Sequence, residues 1–170
     1  MDWSVVVMRL LHVVLGVFWA GTVLFTALFL QPAVRDSGPE GGKVMGALVA
    51  RGLMTAMPVA AILTILSGLG LYARISAGFS PEYMRSAAGV IYGIGGVTAI
   101  IGLATGMALI RPSMTKAGAL MQSASQATGA DREAKLAEVQ ALRQRAATAG
   151  NIVTALLLVS IVTMAIGRYV

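Results

Sequence analysis

The chain has 170 residues, of which 57% are hydrophobic and 12% charged, and a formal charge of +6. Soluble domains carry about 25% charged residues, so composition excludes a water-exposed globule, and the length leaves no room for a separate soluble domain. The lack of cysteine excludes disulfides, thiolate zinc sites, iron–sulfur clusters and cysteine nucleophiles, and without a long basic run no nucleic-acid partner is expected.

Four uncharged apolar stretches organise the chain: Leu10–Leu30, Leu53–Leu71, Ala87–Ile110 and Ala146–Gly167. Each is close to the roughly 20 residues that cross a hydrocarbon core at 1.5 Å per residue. The expected fold is all-α: one transmembrane domain over residues 1–170, a polytopic four-transmembrane-helix bundle. The spans cover about 5–31, 53–73, 87–111 and 146–168, with a cytoplasmic helical hairpin at about 113–145 between helices 3 and 4. Met1-Asp2-Trp3-Ser4 lacks the basic start of a cleavable signal, so the first stretch reads as a retained helix.

The first loop holds a turn-forming cluster, Asp36 to Gly42. Pro39 and Glu40 are expected to open a short helix running on into the second span. In the second span Pro58 marks a kink. The third span is expected to continue past Pro112. Gln122–Gly129 is then a turn, and Asp131 begins a return helix. Leu136, Val139, Leu142 and Ala146 form one apolar stripe on it, and Asp131 and Lys135 form an i,i+4 pair. The stripe serves either packing within the hairpin or docking of a partner. Asn151, early in the fourth span, is expected to hydrogen-bond across helices.

Nine of the thirteen cations lie in loops one and three. By the positive-inside rule those loops are cytoplasmic and both termini periplasmic, in a bacterial inner membrane. The two halves also echo each other. Aligning Pro32 with Pro112 sets Gly16 against Gly96 and His12 against Tyr92, as a duplicated two-helix hairpin does.

Helix association in lipid depends on small residues. The first span offers Gly16 and Ala20. The third offers Gly89/Gly93 and Gly102/Gly106, the latter also a candidate face for a homo-oligomer. Met8, His12, Gly16 and Ala20 share one line, expected to face another helix.

His12 is the only histidine, and an ionisable residue inside a span is a functional candidate. Counting from helix ends puts it in one layer with Gly68–Gly70, Tyr92–Gly96 and Thr163–Met164. Arg9, Arg74, Arg85 and Arg168 lie just above. An imidazole facing a thioether is an axial pair for b-type haem. The candidate cofactor site is therefore His12, Met164 and Tyr92, with Arg9 and Arg168 for the propionates. Two His12 residues meeting across a dimer are an alternative. The same donors suit copper, with His12 as the metal ligand and Met54, Met57 and Met107 extending the path. The seven carboxylates all lie outside the apolar stretches, which disfavours a proton-coupled transporter. No catalytic residues are assigned, and whether a reaction is catalysed stays open.

The run Leu11-His12-Val13-Val14-Leu15-Gly16-Val17-Phe18-Trp19-Ala20-Gly21 resembles the opening span of CopD-like bacterial membrane proteins. Met164-Ala165-Ile166-Gly167-Arg168-Tyr169 is similar to the last span of the uncharacterised four-span members of that group. The resemblance implies a four-span membrane protein and, in part of the group, copper handling. A more distant likeness to the HemJ porphyrinogen oxidases implies haem-linked redox chemistry at the first-span histidine. The chain departs from HemJ after Trp19 and Gly21, lacking its Pro-Arg and Tyr-His and any second histidine. The leading expectation is a small integral membrane protein handling haem b or copper through His12. Its competitors are a scaffold or accessory subunit of a larger membrane complex, and HemJ-like porphyrinogen oxidation. Membrane lipids are expected partners in each case.

Overall fold

Asp2 starts the first helix. Its carboxylate accepts the backbone N–H of Ser4 at 3.0 Å and the Ser4 hydroxyl at 2.6 Å, supplying a partner for an orphan donor of the first turn. From there α1 (Trp3–Phe25) runs through a π-helical turn, Thr26–Leu30, into α2 (Gln31–Asp36). The computed structural model describes residues 2–170, without the side chain of Pro39, and all regular structure among them is helical.

The π turn sits where the sequence demands an adjustment. Pro32 has no N–H to donate, and its ring crowds the carbonyl four residues back. The wider turn relieves this: the Gln31 N–H bonds Thr26 O, one residue further back than in an α-helix. Pro112 produces the same response. Helix α6 (Ala87–Thr105) passes through a π turn, Gly106–Ile110, into α7 (Arg111–Ala124), and the Arg111 N–H bonds Gly106 O. Both π turns fall in the register that aligning the two prolines sets, so the internal echo is present in the backbone.

Between these halves lie α3 (Gly38–Ala50) and α4 (Leu53–Ile75). The helix opened at Gly38-Pro39 does not run on into the second span. Gly52 interrupts it at φ 89°, a left-handed conformation that glycine adopts without steric cost. Helix α4 then continues through Pro58 for 23 residues, about 35 Å at the standard rise. A tight turn leads to α5 (Pro81–Arg85), with Ala77, Gly78 and Phe79 at positive φ. The Ser76 hydroxyl holds it, accepting the Phe79 N–H at 2.9 Å. Helix α8 (Gly129–Ile166) is 38 residues long and closes in a short 3-10 turn, Gly167–Tyr169.

Four helical segments are long and apolar enough to cross a membrane: Trp3–Asp36, Leu53–Ile75, Ala87–Ala124 and Gly129–Tyr169. They form two tight antiparallel pairs, α1 with α4 and α6 with α8, joined both along α4 and α6 and along the first segment and α8. Beyond the apolar stretches α7 packs on the first half of α8. Val139 is fully buried there, opposite Ala117 and Ala124, and Lys116 pairs with Glu138 at 2.6 Å. The apolar stripe is therefore taken up within the hairpin. The expected Asp131–Lys135 pair is present at 2.7 Å.

The buried hydrophobic residues are mostly alanines, while Leu10, Val17, Phe29, Leu66, Val97 and Val162 are exposed. Small residues inside and large ones outside suit association in lipid, where helices gain nothing by hiding leucine from their surroundings. Each seam also carries a hydrogen bond from a side chain to a backbone carbonyl. His12 bonds Thr64 O across α1–α4, Tyr72 bonds Gly89 O across α4–α6, and Ser160 bonds Gly95 O across α6–α8. Asn151 departs from expectation: it is exposed, and among the described residues its side chain makes no hydrogen bond. Its position on α8 turns it away from the seam that buries Gly150 and Val153.

Two tests follow from this packing. A Cβ at Gly89 collides with the Tyr83 backbone carbonyl, whereas one at Gly93 meets open space. Gly89→Ala is expected to destabilise the fold by about 1–3 kcal/mol and Gly93→Ala by under about 0.5 kcal/mol, read as thermal unfolding in detergent. At the N-terminus, the Ser4 hydroxyl, helped by the Arg74 guanidinium, holds the Asp2 carboxyl below its ordinary value of 3.8. A lowered pKa means that the cap is fully in place above that value and is lost as pH falls through the lowered one. In an NMR titration Ser4→Ala is expected to raise the Asp2 midpoint more than Arg74→Gln; the reverse order would contradict the assigned cause.

Candidate functional site

His12 faces α4, as the line Met8, His12, Gly16 and Ala20 implied. Its Nδ1 lies 2.8 Å from Thr64 O. A carbonyl only accepts, so Nδ1 carries the proton, and in the neutral ring Nε2 is left as the free acceptor. Gly68 provides the space: a Cβ there lies 2.6 Å from His12 Cε1. Two residues on, Gly70 admits Met8 in the same manner, and a Cβ added at Gly16 would meet the Thr64 methyl at 3.4 Å. The Ser67 hydroxyl also bonds Thr64 O, at 3.0 Å.

Tyr92 and Met164 belong to the other hairpin. The Tyr92 ring occupies the space left by Gly167, and Met164 lies against Gly95 beside Thr163. Tyr92 over Gly167 thus repeats His12 over Gly68 at the equivalent place of the second half. The contacts of His12 run to α4, and those of Tyr92 and Met164 run between α6 and α8. Arg9 and Arg168 are exposed, and the Arg168 guanidinium lies 5.1 Å from the Tyr169 ring centroid. Arg74 holds Asp2 at 3.1 Å. At the same end Tyr72 and Tyr83 meet edge to face at 5.9 Å. Burial pushes the Tyr83 phenol above its ordinary value, and the nearby Tyr92 and Tyr72 add to this. Among the described residues no group of three His, Cys, Asp or Glu side chains is placed to hold a metal ion.

A cavity lies in the other half of the bundle, towards the first and third loops. Its volume is about 180 Å³. Helix α1 contributes Trp19, α4 contributes Met57 and Pro58, α6 contributes Gly102, and α8 contributes Val153. Both π turns border it, through Thr26 and Ala27 on one side and Gly106, Met107 and Ile110 on the other. Five methionines reach its wall: Met45, Met54, Met57, Met107 and Met114. Of these, Met54, Met57 and Met107 were expected to lie deeper than His12 on a possible metal path.

Gln31 and Arg111 stand at this cavity beside Thr22 and Thr26, and none of the four was among the expected site residues. Gln31 and Arg111 each sit between a π turn and a proline, at equivalent places in the two halves, and both line the cavity. The Gln31 amide lies against α8, with Nε2 3.6 Å from where a Gly150 Cβ would be. No carboxylate lines the cavity, and among the described residues neither Arg111 nor Gln31 has a side-chain partner within the chain. The available sequence signal was the repeated residue–proline pair ending the first and third spans.

The His12 contact yields its own test. Losing one hydrogen bond between helices costs about 0.5–1.5 kcal/mol. His12→Ala is expected to lower stability by that amount, and nitrogen NMR of the wild type to show a protonated Nδ1. A ring protonated only at Nε2 contradicts the bond to Thr64.

Comparison of the chain with protein-family models, with curated proteins and with solved structures finds no match.

Proposed function

We propose that the chain is a multi-pass membrane protein that holds a small apolar or amphipathic molecule in the cavity between its two hairpins. In this reading it lies in a bacterial inner membrane with both termini periplasmic, and the cavity opens in the cytoplasmic half. The observation that carries it is the cavity itself: a largely apolar chamber with Thr22, Thr26, Gln31 and Arg111 as its polar residues, bordered by both π turns. A concave apolar site with a few converging polar groups is the default place for a ligand. π turns are rare and gather at functional sites. Here each also has a structural cause in the proline that follows, so the cavity carries more weight than the turns.

Size guides the choice of ligand. Pockets for drug-sized molecules span roughly 300–1,000 Å³, so about 180 Å³ favours a small group or a length of chain over a haem macrocycle. His12 serves in this reading to lock α1 on α4, since its ring is packed over Gly68 and bonded to Thr64. A second reading keeps copper, favoured by the five methionines, because thioethers suit Cu(I). Arg111 beside the same wall disfavours a cation there.

Gly106→Phe provides the test, because a Cβ at Gly106 meets nothing within 4 Å and the ring would fill the void. Native mass spectrometry of the protein from detergent is expected to show a small-molecule adduct on the wild type and its loss in Gly106→Phe at unchanged helical content. Equal recovery from both overturns the cavity as the ligand seat. For copper, loading with Cu(I) is expected to leave about one bound ion in the wild type, lost when Met54, Met57 and Met107 become leucine. No retained copper removes the second reading.

A further inference from the structure

Arg111 is the one charged side chain among the residues that line the cavity. The Arg111 guanidinium offers five N–H donors and no acceptor, and it is charged at any working pH. Gln31 adds an amide with donors from the opposite hairpin. No acidic side chain lines the cavity. The nearest ion pair on the α7–α8 hairpin, Lys116–Glu138, is already made, at 2.6 Å. The rest of the wall is hydrocarbon and thioether apart from Thr22 and Thr26, reaching inward to Trp19, which is 5% exposed. Arg111 is exposed on its outer side, and a cation at the mouth of a largely apolar chamber is complementary to an anion that carries an apolar chain.

We infer that the ligand is a single-chain carboxylate amphiphile, its head bound by Arg111 and Gln31 and its chain running towards Trp19. This rests on the cavity reading above and names its ligand class. The dimensions agree. Gln31 and Trp19 both line the wall and lie twelve residues apart along the first helical segment, at most about 18 Å at the α-helical rise, since the π turn between them shortens the path; that leaves room for a medium-length chain between head and indole. The small volume favours one chain over the two of a phospholipid. A carboxylate on a guanidinium forms a charge-assisted, paired hydrogen bond. A cation is repelled by Arg111, and a neutral alcohol makes only the weaker hydrogen bonds of an uncharged acceptor there.

Trp19 supplies the readout. The chain has two tryptophans, and Trp3 is exposed, so Trp3→Phe leaves a single buried reporter on the cavity wall. A bromine at the end of a chain quenches an indole that it touches. Titration of the detergent-purified variant with 10-bromodecanoate is expected to give saturable quenching. Half-saturation is expected at about tenfold lower concentration than for 10-bromodecanol, the ratio that 1.4 kcal/mol produces. Arg111→Gln in the same background is expected to erase that preference while the alcohol still quenches, which also shows that the fold is intact. Arg111→Lys is expected to keep most of it. Acid and alcohol quenching equally, with no effect of Arg111→Gln, overturns the carboxylate assignment and leaves the cavity reading standing. No saturable quenching by either probe overturns both.

Discussion

The bundle depends on how closely backbones approach along two seams. On α1–α4 the approach is possible because Gly68 and Gly70 leave space for His12 and Met8. On α6–α8 Gly95 and Gly167 do the same for Thr163, Met164 and Tyr92. An aliphatic residue at any of these sites pushes its helix pair apart. In the lipid setting proposed here no hydrophobic force would pull them back, since a side chain leaving the seam finds an equally apolar surrounding. The side-chain bonds to Thr64 O, Gly89 O and Gly95 O then act as position markers. Each is worth little alone, but each fixes the rotation of one helix against the next.

This division explains why the cavity lies where it does. At the end near the termini the seams are filled by His12, Met8, Tyr92 and Met164. At the other end the two prolines force the first and third spans through π turns. Those turns add a residue to each circuit and widen the helix where it borders the bundle centre. The wall there is lined by thin residues, Ala27, Gly102, Gly106 and Gly150, beside flexible methionines. Methionine fills irregular space adaptably, so a chamber bounded by five of them can change shape more readily than one bounded by branched side chains.

Much of this was legible in the residues. The apolar stretches, the helix past Pro112, the Asp131–Lys135 pair and the packed line through His12 follow from period and spacing, which are local properties. The alignment of Pro32 with Pro112 anticipated the matched π turns, though not their geometry, because a wider turn leaves no mark in hydropathy. The break at Gly52 was not legible: a lone glycine between apolar runs is tolerated inside a helix, and only its left-handed φ reveals a stop. Asn151 was expected to bond across helices because it is polar. Gln31 was passed over because it ends a span. Which of the two faces the bundle depends on helix rotation, and the π turn changes that rotation just before Gln31. Counting residues from helix ends set His12 level with Gly68 but said nothing of which neighbouring helix each side chain faces. Tyr92 and Met164 therefore share its layer in the count while making their contacts on the opposite seam.

The repeat also bears on how two similar halves come to serve one site. His12 over Gly68 and Tyr92 over Gly167 are equivalent in place yet differ in chemistry, one ring bonding a carbonyl and the other filling a glycine gap. Gln31 and Arg111 diverge in the same way at the other end, one neutral and one charged. A symmetric pair of arginines around a chamber this small would repel each other across an apolar medium, where charges interact strongly. A symmetric pair of glutamines would leave no net charge to select a ligand. One of each leaves a single positive charge with a neutral donor opposite. Within a duplicated scaffold that is the smallest asymmetry able to favour an anionic head while keeping the rest of the wall uncharged.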